Sequence, residues 1–335
     1  MTNLIITGGL GFIGTAFLNK YRDQFDRVVV LDNLLPQVHR NTMKRFNEKA
    51  VEFYCVDISL PHALSRIKIS GKFNLIHMAS ETGTGESFLN APVHLSTNAN
   101  GTFNLFPWLK ENRLVVEHFL NLSSRAVYGE GTYFMENELM HPPSRTRFIE
   151  NDVRYLFSNF IPHHTSQNTI PVSIYGSTKL FQENVINNLF THQDTKVSHL
   201  RLQNVIGKGQ SPDNPYTGVI PFFINRLKRG EVIEVYEDGQ IMRDFIDVND
   251  VANEIYFHLI EPDSSRNVFN VGSGIPMSIL KLAEHIVKIN GAGKIQITGG
   301  FRVGDVRNAY CQPDLKSKKL IPFETTLQEI VNEIS

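Results

Sequence analysis

The sequence lacks the features that would place it at once in several classes. It has two cysteines, Cys55 and Cys311, far apart in the chain. Neither a disulfide framework nor a closely spaced thiolate metal site can be built from them, and a reducing compartment is favoured. Lysine and arginine number 33 against 34 acidic residues, with no block of like charge, so the basic footprint of a nucleic-acid binder is missing. An uncharged or small anionic partner fits this balance better. No stretch offers about 18 uninterrupted apolar residues, so no membrane span is expected. The run NLIITGGLGFIGTAFL imitates a signal peptide, but it has no basic leader and its glycines weaken a helix. A cytoplasmic location is the expectation. The twelve histidines show no HExxH or other metal spacing, so no metal is expected. His163 and His164 lie in a long polar segment and are expected to face solvent; His77 is expected to pack at a strand end.

What is present is an ordinary globular composition, 41% hydrophobic and 20% charged over 335 residues, enough for one large core or two lobes. Short β-branched runs at Leu4–Thr7, Arg27–Asp32, Val51–Asp57, Phe73–Ala79, Val116–Ser124 and Val197–Val205 alternate with helix-like stretches. The clearest of these are Gly11–Tyr21, Pro92–Asn112 and Tyr175–His192. Continuous apolar strands separated by helices predict an α/β fold, a Rossmann-type doubly wound parallel sheet buried on both faces. After Ile206 glycine, proline and asparagine cluster in GKGQSPDNPYTG, short mixed elements follow, and a late helix is expected over Ser278–Asn290. The expected organisation is therefore a dinucleotide-binding domain over 1–206, with 240–262 returning to it. A smaller mixed α/β substrate lobe takes 207–239 and 263–335. Met140–Pro171, poorly periodic and rich in Pro, Ser, Asn and His, is expected to be a loop.

In LIITGGLGFIG, Gly8, Gly11 and Gly14 fall directly after the first strand and at the opening of the first helix. A tight turn there, with Phe12 and Ile13 starting the helix, aims backbone N–H groups and the positive helix end at one point, where a pyrophosphate can sit. Asp32 ends the second strand 18 residues after Gly14. Its carboxylate can accept the hydroxyls of an adenosine ribose, with Asn33 beside it, and would repel a 2′-phosphate; NAD is favoured over NADP. Asp57 and Ile58 are placed to meet the adenine, or Asp57 merely caps a loop. Ala79 leaves room for the adenosine ribose.

The strand LNLSSRAVYGE delivers Ser123 and Ser124 to the same edge, and IYGSTK sets Tyr175 and Lys179 at i, i+4 on one helix face. A free phenol ionises near pH 10 (roughly); an adjacent ammonium and a nicotinamide cation would favour the phenolate. Tyr175 can then take the proton of a sugar hydroxyl while hydride leaves the same carbon. Ser124 would bond the reacting oxygen, and Lys179 the nicotinamide ribose.

TGGLGFIG, Asp32, HMASETGTGES, NANGTFNL, SSRAVYG and YGSTK, in this order through nearly the whole chain, resemble the extended short-chain dehydrogenase/reductase family, in particular its NAD-dependent nucleotide-sugar epimerases. The dehydratases of that family carry Thr-Asp-Glu where this chain has Ser124, Arg125 and Ala126, which cannot form the acid/base pair that eliminates water. The resemblance therefore implies an isomerase acting on carbohydrates: C4 epimerisation of a UDP- or dTDP-hexose through a transient 4-keto sugar, with tightly held NAD.

It further implies that Arg243 and Arg302 hold the diphosphate with Asn204, that Asp305 meets the nucleoside ribose, and that Thr84 borders the hexose. Asn98 is expected to bond backbone near the catalytic strand. Arg125 stays open between a clamp on a substrate carboxylate or acetamido group and a pairing with a loop acid. The family also implies a homodimer in which Pro92–Asn112 and Tyr175–His192 form a four-helix bundle; Leu180, Val185, Ile186 and Leu189 allow that, or face their own sheet. Rival readings are a one-way 4-ketoreductase, a C2 epimerase, and an NAD-sensing scaffold, which would have no need of the intact Ser124, Tyr175 and Lys179.

Overall fold

The computed structural model describes residues 2–39, 51–135, 138–140, 160–210, 218–265, 267–302 and 304–334. Most of the Met140–Pro171 segment and of GKGQSPDNPYTG lies outside the described residues.

The apolar runs of the first half become β1 (Asn3–Thr7), β2 (Arg27–Asp32), β3 (Glu52–Cys55), β4 (Lys72–His77) and β5 (Val115–Ser124). Three short strands, β6 (Thr132–Met135), β7 (Glu138–Met140) and β8 (Phe160–Ile161), pair antiparallel in a sheet of their own. β9 (Lys196–Leu202) rejoins the first sheet, whereas β10 (Asn204–Ile206), β11 (Ile233–Val235) and β12 (Met242–Asp247) do not. β13 (Val268–Val271) completes a seven-stranded sheet ordered β13-β9-β5-β4-β1-β2-β3, parallel at every pairing. β14 (Pro276–Ser278) and β16 (Asn308–Ala309) join β12, and β15 (Ile295–Ile297) joins β11.

Successive residues of a strand point to opposite faces, and the cores divide accordingly. Leu4, Ile6, Val28 and Val30 pack with α1 (Phe12–Tyr21) on one side; Ile5, Val29 and Leu31 pack with α2 (Gly101–Glu111) and α3 (Ile174–Phe190) on the other. Ser173 caps α3 by accepting the Gly176 N–H at 3.0 Å. A third core gathers α4 (Val219–Lys228), α6 (Ile279–Asn290) and α7 (Phe323–Ile334) around Ile220, Phe223, Leu282 and Ile330, while α5 (Val248–Ile260) joins α1 on the large sheet.

Two boundaries differ from expectation. The run Val197–Val205 is not one strand: at Gln203, whose N–H bonds the Val271 carbonyl at 2.9 Å, the chain leaves the large sheet and hands Asn204 to β12. Within RDFIDVNDVANEIYFHLI only the helical half returns to the first domain, because β13 already occupies the edge beside β9. Phe269 and Val271 are buried in the large core, so part of the stretch assigned to the second lobe belongs to the large sheet.

Candidate active site

The turn after β1 depends on its glycines. Gly8 has φ 68°, and a Cβ there would lie 2.7 Å from the Ala79 backbone. A Cβ on Gly14 would collide with the backbone of Gly9, so α1 packs closely under the turn. Gly11 is the N-cap of α1, with no side-chain cap and no acid in the first turn. The N–H groups of Phe12 and Ile13 and the positive helix end therefore remain for an anion.

Asp32, 5% exposed, accepts the Leu10 N–H at 3.0 Å and the Leu34 N–H at 2.9 Å, with His39 Nε2 3.0 Å away. Its carboxylate is thus locked to the rim of the turn. Asn33 donates to Asp57 at 3.4 Å, and Asp57 also accepts the Ser59 N–H at 2.9 Å, so it caps its loop and sits along the edge at once. Ile58 is buried against Gly101, and the Ala79 N–H meets the Thr7 hydroxyl at 3.3 Å. A bare turn, an uncapped helix end and an oriented carboxylate fit a dinucleotide.

At the end of β5, Ser124 is 8% exposed and its hydroxyl accepts the Ala126 N–H at 3.2 Å, beside the first turn of the helix that carries Tyr175. The contact is enforced by close packing: a Cβ on Gly176 would lie 2.5 Å from the Ala126 carbonyl, so the first turn of α3 rests on the turn Arg125–Tyr128. Burial raises the Tyr175 phenol above its ordinary value, although Ser124 and the Arg125 charge pull the other way. Lys179, 2% exposed, is pushed by burial down to about 7, with Glu183 opposing.

A buried network outside the sequence motifs supports this pair. Glu183, one turn beyond Lys179, takes a forked ion pair from Arg201 at 3.0 and 2.7 Å, both residues being at most 5% exposed. The Ser123 hydroxyl donates to the same carboxylate. Arg201 lies over the Tyr128 ring at 4.8 Å, and Tyr128 stacks on His163 at 4.4 Å. The Lys-x-x-x-Glu spacing was the available signal, but nothing local tells Glu183 where its arginine lies.

His163 is not exposed as expected. It is fully buried in an aromatic cluster, and burial together with Arg125, Arg201 and Arg243 holds it down to about 3. The segment carrying it is pinned by a bridge to Cys311. His164 stays near the surface, bonded to Ser166. His77 packs as expected, between the hydroxyls of Thr7 at 2.7 Å and Thr102 at 2.8 Å. Asn98 bonds the Glu81 N–H at 2.7 Å and its carbonyl at 3.0 Å, and reaches Thr178 on α3 at 3.0 Å.

From Tyr175 the arrangement runs through Arg125 to the second lobe. Arg125 donates to Asn204 at 3.4 Å, and Asn204 donates to the Asp244 carbonyl at 2.9 Å. Arg243, 5% exposed, pairs with Asp305 at 2.5 Å and donates to the Val306 carbonyl at 2.8 Å, so it is not a surface ion pair. Arg302 is exposed, 5.3 Å over the Tyr236 ring, and joins Asp305 through a backbone turn of 3.3 Å. Thr84 lies in a turn bonded to Ser87 at 2.7 Å, and the Phe88 ring beyond it presses on Gly304, next to Asp305. Among the described residues no cluster of three or more His, Cys, Asp or Glu side chains could hold a metal ion, and no helix is long and apolar enough to cross a membrane.

A dinucleotide cradle whose sheet edge also presents a hydroxyl, a phenol and a lysine defines a Rossmann-type enzyme of nicotinamide-linked chemistry. The chain belongs to the NAD dependent epimerase/dehydratase family, whose model matches residues 4–148 and 158–272; NAD is its cofactor. It is 38% identical to dTDP-L-rhamnose 4-epimerase of Burkholderia thailandensis over 92% of this chain and 86% of that protein. Among solved structures it resembles UDP-N-acetylglucosamine 4-epimerase from Methanobrevibacter ruminantium in complex with UDP-N-acetylmuramic acid, with TM-score 0.80 and 25% identity over 99% of this chain and 97% of the other. UDP-glucose 4-epimerase of Thermus thermophilus shares the fold at TM-score 0.77 and 22% identity, over 99% of each chain.

Proposed function

We propose that the protein is an NAD-dependent nucleotide-sugar epimerase that inverts C4 of a UDP- or dTDP-hexose through a transient 4-keto sugar. The observation that carries this reading is the end of β5, where Ser124 meets the first turn of α3 that carries Tyr175 and is followed by Arg125 and Ala126, with no acid/base pair for elimination beside it. When bound, the dinucleotide supplies a hydride acceptor and donor at one carbon. Tyr175 takes the proton from the C4 hydroxyl and later returns it, Ser124 holds the same oxygen, and Lys179 orients the nicotinamide ribose. Gly8, Gly11 and Gly14 with the Phe12 and Ile13 N–H groups hold the pyrophosphate, and Asp32 the adenosine ribose. Asn33, Asp57, Ile58, Ala79 and Ser123 line or support that groove. Asn204, Arg243 and Arg302 grip the substrate diphosphate, Asp305 meets its ribose, and Thr84 and Arg125 border the hexose while the ketone turns.

The large sheet thus holds the cofactor, and the lobe built on α4, α6 and α7 holds the nucleotide sugar. We further assign a cytoplasmic enzyme, in line with unpaired Cys55 and Cys311, that dimerises through the outer faces of α2 and α3. Phe103 at 55%, Phe181 at 41% and Leu189 at 37% exposure support that face, whereas Ile186 is buried in its own sheet and is not available. A monomeric sedimentation profile would count against it.

Tyr175→Phe tests the chemistry. It is expected to keep its NAD while turnover of UDP- and dTDP-hexoses, followed by NMR, falls by about 10²–10⁴-fold; retained activity refutes the assignment. Deuterium at C4 should stay in the product, without net consumption of NAD, which separates epimerisation from one-way reduction.

A further inference from the structure

Two elements fix Tyr175. Its backbone is set where the first turn of α3 rests on Arg125–Tyr128 through the Gly176–Ala126 approach. Its ring is met by the helix that starts at Ala91 and continues into α2: His94 lies edge-on to Tyr175, with ring centroids 6.2 Å apart and planes at 74°.

That helix is irregular just where it approaches the phenol. Between the turn Ala91–His94 and α2, the stretch Leu95–Asn100 is π-helical, a wide i→i+5 winding that is rare and concentrated at functional sites. In an α-helix of roughly 3.6 residues per turn, positions four apart drift steadily round the axis; the wider winding keeps them nearly in line. His94, Asn98 and Thr102 thus form one row, answered on α3 by Tyr175, Thr178 and Gln182 at helical spacing. Two of these rungs are hydrogen bonds. Asn98 donates to Thr178 at 3.0 Å, and Gln182 donates to the Asn98 carbonyl at 3.0 Å and to Thr102 at 2.8 Å. All four of these residues are buried, so the two helices are locked in register and the end rung, His94 against Tyr175, is set by that register.

His94 is 2% exposed, its Nδ1 has no hydrogen-bond partner among the described residues, and burial holds the imidazole towards its neutral form against the pull of Glu86. What it presents to the phenol is therefore a flat ring, in the edge-to-face geometry that ring pairs favour.

We propose that His94 is a positioning residue of the epimerase: aimed by the π-helical stretch, its ring packs the Tyr175 ring into the one orientation from which the proton is transferred, by shape rather than by ionisation. The proposal rests on the reading that Tyr175 is the base. A proton relay needs such a support, because a misplacement of about 1 Å costs about 10²-fold in rate.

The test compares three NAD-loaded variants: His94→Ala, His94→Leu, which keeps bulk without a flat ring, and His94→Phe, which keeps a ring without the nitrogens. In turnover of UDP- and dTDP-hexoses, kcat should fall by about 10–10²-fold in the Ala and Leu variants with KM changed by less than about threefold, and His94→Phe should bring kcat back to within about threefold of the wild type. Fluorine NMR of protein labelled with 3-fluorotyrosine gives a readout that needs no turnover. The Tyr175 resonance, assigned by its loss in Tyr175→Phe, should show slow ring flips in the wild type and the Phe variant and fast flips in the Ala and Leu variants. Should His94→Ala fail to fold, His94→Leu carries the comparison. Unchanged kcat or an unchanged Tyr175 resonance in the Ala and Leu variants overturns the proposal. So does a Phe variant as impaired as the other two, which would make an imidazole nitrogen the working group. If the fluorine spectra change as expected but the wild-type protein epimerises no nucleotide sugar, the support of Tyr175 by His94 stands and the functional reading fails.

Discussion

Lowering the pH below about 6.5 should destabilise this protein, because folding holds several imidazoles neutral. His77 and His163 are pushed down to about 3 and His118 and His199 to about 4, against 6.5 for a free imidazole, in every case with burial as the first cause. All four are at most 2% exposed. The folded pKa lies below the unfolded one, so between the two the unfolded chain binds the extra protons. The stability these groups contribute is complete above about pH 6.5 and drains away as pH falls towards 4.

Near pH 5 almost four protons separate the two states, a slope of about 5 kcal/mol per pH unit. Each histidine then costs about 2 kcal/mol relative to pH 7.5, or about 8 kcal/mol together, comparable with the 5–15 kcal/mol of a typical domain. Glu81, Asp244 and Asp250, whose carboxyls burial holds above their ordinary range, take up protons in the folded state and offset part of this. Equilibrium urea unfolding between about pH 7.5 and 5 measures the difference. His163→Phe, which keeps an aromatic ring against Tyr128 and Phe160, should reduce the loss by about 2 kcal/mol. A total loss below about 2 kcal/mol would refute the reasoning. The same window fixes where the pH profile of Tyr175 should be read, namely above the pH at which the fold gives way.

Two further substitutions probe the site's supports. Glu183→Gln leaves the Arg201 guanidinium buried beneath Tyr128 without its forked partner, and unfolding should show a loss of about 3–5 kcal/mol; a neutral result would mean that the pair is dispensable. Gly14→Ala puts a methyl group into the Gly9 backbone, so the purified protein should lose its bound NAD, measured by absorbance after denaturation. Undiminished NAD content would show that the turn can relax around a Cβ.

The features legible from sequence were those set by neighbours along the chain. Continuous apolar runs announced the parallel strands, since a strand buried on both faces has no polar side to show. The cradle was readable because backbone conformation and close approach limit Gly8 and Gly14, and the Tyr175-to-Lys179 spacing places both on one face of α3. What escaped depended on partners far away in the chain. His163 looked like a loop residue until its segment was seen bridged to Cys311, and β13 was assigned to the wrong lobe because its partner β9 lies some seventy residues earlier.

The sequence by itself determined the order of strands and helices, the anion cradle after β1, the hydroxyl–phenol–lysine set and the absence of an elimination pair. Those are matters of side-chain type and short spacing. Only the tertiary structure decided which charges cancel: Arg201 with Glu183, Arg243 with Asp305, and Arg125 with no acid of the described residues. Electrostatic effects follow distance and burial in space, and neither is written into the interval between two letters of a chain.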